Sequence, residues 1–147
     1  MKIVLDTNVL IDASEDYFRY ANRILDLVIS GQIEAFANRE TLLENKFLAE
    51  KKITDKGYLK KLEYFFDVVK PVETKVVDQV VEDPEDNKIL ASAIVAGADF
   101  LITSDQHLLK LEKVSKTRIV RPNEFWSRFE EGSDSGWQKW LKDFIGG

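Results

Sequence analysis

The 147-residue chain contains no cysteine. Disulfides, thiolate zinc sites and thiol nucleophiles are thereby excluded, and the absence fits a reducing, cytoplasmic setting. Histidine occurs once, at His107, which leaves neither a paired-histidine nuclease nor a multi-histidine zinc site available. Alone, it reads as a structural residue. Long apolar runs are missing too. No stretch approaches the ~18 residues of a membrane-spanning helix, and the first residues read as a strand, not a signal peptide. None of the seven glycines builds a phosphate-binding loop, which argues against a Rossmann or P-loop nucleotide enzyme. Acid and base chemistry falls mainly to carboxylates, lysine, tyrosine or bound water.

What remains is the balance of one globular domain, 44% hydrophobic and 32% charged, long enough to bury ~70% of the surface its unfolded chain exposes. The net charge of −5 sits poorly with a nucleic-acid ligand. It is unevenly spread, however. Residues 39–61 carry seven basic and four acidic side chains, and residues 73–86 carry one basic and six acidic. Either both are solvated faces, or the first is a substrate-facing patch with Lys51 and Lys52 as contacts, and the second rims a metal site.

Strands are expected at Lys2–Leu5, "IEAF", "VVKPV" (weakened by Pro71), "FLIT" and "RIV". Helices are expected over Tyr17–Ile29, closed at Gly31, from an Asn38 cap to about Lys51, from a Thr54 cap to Phe66, and from Asp83–Pro84 to Gly97. This alternation predicts an α/β fold with a central parallel sheet covered on both faces. The domain spans residues 1–131. A tail at 132–147 follows the flexible-looking "EEGSDSG". Trp137, Trp140, Leu141, Phe144 and Ile145 give it one apolar helical face, either packed on the domain or docking a partner.

Four acids stand out. In "KIVLDTNVLI" Asp6 interrupts two aliphatic runs, where a lone carboxylate loses several kcal/mol of hydration unless something compensates it. Asp105 follows "FLITS" in the same manner. On a helical wheel Asp86 falls between Leu90 and Ala93, inside the apolar arc, and Glu44 falls beside Phe47 and Leu48. Asp83 reads as an N-cap and Glu40 as a first-turn helix-dipole residue. Strand-end acids emerge where open α/β sheets bind ligands. Converging carboxylates repel one another and either protonate or hold hard cations, for which Mg2+ or Mn2+ is the natural choice. Such ions suit metal-assisted phosphodiester hydrolysis.

"IVLDTNVLI", "LLEN", "DPEDNKILASAIVAGADFLITSD" and "IVRPNEF", in this order from Lys2 to about Phe125, resemble a PIN domain, closest to VapC-like toxins of prokaryotic toxin–antitoxin pairs. The resemblance implies an α/β/α sandwich and a metal-dependent ribonuclease acting on RNA, commonly a homodimer held in check by an antitoxin. It also implies that Asp6, Glu44, Asp86 and Asp105 are the catalytic, metal-holding acids, with Glu40 the competitor for the second place. Thr7, Asn8 and Thr103 match supporting polar positions, Asn8 and Thr103 by hydrogen bonding to the acids. Ser104 departs from the glycine or basic residue common there. The alternatives are a non-catalytic PIN module binding RNA or protein, and an RNA-processing nuclease outside any toxin–antitoxin pair. A phosphatase with a strand-end aspartyl nucleophile usually needs a second acid where Asn8 stands.

Overall fold

The computed structural model describes residues 1–6, 8–11, 15–74 and 81–130, with side chains omitted at 15–19. Its centre is β1 (Lys2–Leu5), paired in parallel with β2 (Glu34–Asn38) on one side and β4 (Phe100–Ile102) on the other. Outside β2 lies β3 (Lys70–Val72), and outside β4 lies β6 (Thr117–Val120), both parallel. A two-residue strand, β5 (Lys113–Val114), runs antiparallel along β6 and completes the order β3-β2-β1-β4-β6-β5. The fold is thus α/β with a mostly parallel sheet, as the alternation predicts. Pro71 is accommodated because β3 is an edge strand, whose outer side needs no ladder bond.

Successive strand residues point to opposite faces, and β1 shows it. Ile3 and Leu5 join a core containing Ile24 and Leu25 of α2 (Glu15–Ile29), Leu62 and Phe65 of α4 (Lys56–Val68), and Phe125 of a helix at 122–130. Val4 joins the opposite core with Leu90 and Ala93 of α5 (Pro84–Ala96), Leu101 and Ile119. Continuous aliphatic strands follow from having no solvated face.

Asn38 caps α3 (Arg39–Lys52), accepting from the N–H groups of Glu40 and Thr41. Asp83 caps α5 with Pro84 in its first turn, and Gly97 ends it at φ 63, a conformation that side-chain-bearing residues resist. One expected cap moves by a residue. Asp55, not Thr54, accepts the Tyr58 N–H that opens α4. Four elements escaped the sequence reading, namely α1 (Asn8–Ile11), α6 (Gln106–Leu109), β5 and the helix at 122–130. The first three have four residues or fewer, too short to show a period.

The chain runs outward from β1 to β2 and β3, then crosses to β4 on the other side. The carboxyl ends of β1 and β4 therefore flank the switch point, where open α/β sheets place their ligands. No helix among the described residues is long and apolar enough to cross a membrane.

Candidate metal centre

Asp6 leaves β1 at the switch point, its N–H donating to the Ile102 carbonyl at 2.9 Å. The side chain is buried, and both oxygens have donors. Oδ2 accepts from the Thr103 hydroxyl at 2.8 Å, and Oδ1 accepts from the Asn8 N–H at 3.2 Å. Asn8 therefore supports Asp6 through its backbone at the start of α1, while its side chain is exposed. Thr103 is fully buried, and its Oγ1 also accepts from the Asp105 N–H at 3.0 Å. One hydroxyl thus ties the two strand-end acids together. Asp105 caps α6 in turn, accepting from the His107 N–H at 2.8 Å.

Asp86 arrives from the first turn of α5 and is 7% exposed, as its place on the apolar arc predicts. Burial first, then the charge of Asp105, pushes its carboxyl up to about 6, with further contributions from Asp83, from a side-chain hydrogen bond to Asp105 and from Asp6. Asp6, Asp86 and Asp105 accordingly form one electrostatically linked group.

Glu44 is placed differently from the expectation. The buried side of α3 is Leu42, Asn45 and Ala49, so the face carrying Glu44 is solvent-exposed, with Phe47 58% and Leu48 36% exposed. The apolar pair that marked a core-facing arc marks an open surface instead. Glu44 makes no hydrogen bond or ion pair among the described residues. Its rival Glu40, one turn earlier, is engaged by Lys88 Nζ at 3.3 Å, and Lys88 also holds Glu85 at 3.1 Å. This bridge joins α3 to α5 two residues beyond Asp86, a link the sequence reading missed. The i,i+3 spacing of Glu85 and Lys88 signals only its local half.

Lys51 and Lys52 lie in the last turn of α3, and Lys51 is at least ~10 Å along the helix from Glu44. Lys51 Nζ sits 4.3 Å from the centroid of the Phe47 ring. Thr7 and the tail at 132–147 fall outside the described residues. A cavity of about 650 Å3 opens at the ends of β2 and β3, lined among others by Arg39, Glu40, Asn87 and Lys88, and none of Asp6, Glu44, Asp86 and Asp105 lines it.

Among the described residues, no three acidic or imidazole side chains are gathered within metal-binding reach. The donor chemistry nevertheless fits a hard divalent cation. The group offers carboxylate oxygens only, and the neighbouring charges that raise the Asp86 carboxyl, that of Asp105 first, are ones a cation would offset.

A search of curated proteins finds no match. A crystal structure of VapBC2 from Rickettsia felis bound to a DNA fragment from their promoter superposes with a TM-score of 0.54 at 16% identity, covering 81% of this chain and 97% of that one. At that identity the likeness is one of fold. The PIN domain family matches residues 2–107, a span holding β1, the crossover and all four candidate acids, and the chain belongs to that family.

Proposed function

We propose that the protein is a metal-dependent endoribonuclease that hydrolyses RNA phosphodiester bonds, serving as the toxin of a VapBC-like pair. PIN domains are typically metal-dependent nucleases. The observation that carries the proposal for this chain is that the Thr103 hydroxyl ties the strand-end acids Asp6 and Asp105 together beside buried Asp86, whose carboxyl is raised first by burial and then by the charge of Asp105. A fold that needed only stability would not gather like charges at a sheet switch point.

Asp6, Asp86 and Asp105 would hold Mg2+ or Mn2+, with Glu44 reaching in from α3. Glu44 is favoured over Glu40 as the second acid because Lys88 already occupies Glu40. When bound, such an ion lowers the pKa of a coordinated water and neutralises charge on phosphate oxygens. The protein's own share is preorganisation. Thr103 and the Asn8 N–H fix both oxygens of Asp6, so its carboxylate does not have to reorient as substrate arrives. Lys51 and Lys52 are proposed to contact more distant parts of the RNA. Exposed Leu43, Phe47 and Val95 supply apolar surface for a second copy or an antitoxin.

The experiment is cleavage of single-stranded RNA by the purified protein. Activity is expected with magnesium or manganese and not in EDTA. Asp6→Asn should lower the rate by at least ~100-fold, the scale of one well-placed charge-stabilising group. Equal cleavage by the variant overturns the assignment.

A further inference from the structure

The line of strand ends continues past the acids. The Thr103 N–H donates to the Val120 carbonyl at 3.0 Å, so Arg121 leaves β6 at the same end of the sheet as Asp6 and Asp105. From there a surface cleft of about 490 Å3 follows the β6–β5 edge. Its charged lining is Lys113, Arg118, Arg121 and Arg128, against Glu112 and Glu124. Arg128 is paired with Glu124 at 3.2 Å. Lys113, Arg118 and Arg121 are exposed, and none of them has an ion pair among the described residues.

Two features set this edge apart from an ordinary solvated face. Residues 106–121 carry five basic side chains and one acidic, in a chain whose net charge is −5. Within that stretch, Lys113 and Arg118 are direct partners across the antiparallel β5–β6 ladder. Like charges placed opposite each other destabilise a sheet, so folding gains nothing from this pairing. An anion lying over both would reverse the sign. Arg118 and Arg121 stand three residues apart on an extended strand, about 10 Å, so the cations form a row leading to the acids.

We propose that this edge binds the phosphate backbone of the single-stranded RNA substrate. Arg121 contacts the phosphate nearest the acid group, and Lys113 with Arg118 contacts those beyond it. The inference rests on the ribonuclease reading above and adds the path of the strand. Continuity with the acids favours the substrate over any separate polyanion.

The test uses the full chain carrying Asp6→Asn, which blocks cleavage, with magnesium present. Binding of a fluorescent single-stranded RNA is measured against salt concentration, alone and with Lys113→Gln, Arg118→Gln and Arg121→Gln combined. Three lost phosphate contacts should flatten the log–log salt slope by about 2 and weaken low-salt affinity at least tenfold. Arg118→Lys with Arg121→Lys should keep most of the slope. An unchanged slope overturns the proposal, as does a slope that changes for duplex DNA but not for RNA. If the triple variant does not melt cooperatively, Arg121→Gln alone carries the test, with an expected change of about 0.7. Failure of the Asp6→Asn parent to bind RNA at all would instead remove the ribonuclease reading, and this inference with it.

Discussion

At the scale of single residues the centre is organised by Thr103, not by an acid. Its hydroxyl donates to Asp6 Oδ2 and accepts from the Asp105 N–H, within a fully buried site. Valine has the same shape and neither function. Thr103→Val should destabilise the protein by about 1–3 kcal/mol, because a buried acceptor and a donor lose their partner. It should also reduce RNA cleavage, while Thr103→Ser retains both properties. Chemical denaturation and a cleavage assay on the two variants decide the matter, and a Thr103→Val protein equal to wild type in both would show the hydroxyl to be incidental. The burial of Asp6 and Asp86 was legible because each interrupts an apolar pattern, whereas Asp105 follows such a run and is only half-buried. Glu44 was located by the same logic and its surroundings were misjudged. On α3 the apolar residues Leu43 and Phe47 face solvent while Asn45 is buried, so hydropathy gives the wrong phase.

At the scale of elements, caps were the most readable signals, since Asn38, Asp83 and Gly97 all occupy the ends their chemistry favours. The two-residue β5 and the Lys88 bridge between α3 and α5 depend on contacts distant in sequence, which no local pattern reveals. Asp83 has two effects that can be separated. As a cap it accepts the Glu85 N–H at 2.8 Å, and as a charge it raises the carboxyl of Asp86. Asparagine caps about as well as aspartate. Asp83→Asn should therefore leave α5 intact and move the Asp86 pKa downward from about 6, whereas Asp83→Ala should also lose ~1 kcal/mol of stability. Carboxyl-carbon NMR titration of the metal-free protein reads the first effect and thermal melting the second. An Asp86 titration unmoved by Asp83→Asn would mean that the Asp83 charge is screened.

At the scale of the whole molecule, the acid group makes stability depend on pH and on metal together. The Asp86 carboxyl is raised from its ordinary 3.8 to about 6, so between those values the folded state holds a proton that the unfolded chain has released. The sign follows for this group: its contribution to stability is greatest below about 4, falls as pH rises through about 6, and stays low above it. The span is at most on the order of 3 kcal/mol, because the shift is shared with the neighbouring acids. Asp86→Asn removes the titrating group while keeping its size and hydrogen-bonding capacity. The variant should melt above wild type at pH 7.5 in EDTA, and the gap should narrow to about a third of that near pH 4.5. A divalent cation narrows the gap, because it binds the folded wild type and offsets the same repulsion. At a hundred times its dissociation constant magnesium adds ~2.7 kcal/mol to the wild type by mass action, and should add less to the variant. Urea denaturation at the two pH values, with and without magnesium, gives every quantity needed. If Asp86→Asn is the less stable protein at pH 7.5 in EDTA, and magnesium shifts both proteins equally, the three aspartates are satisfied structural groups, and the case for a metal at the switch point fails.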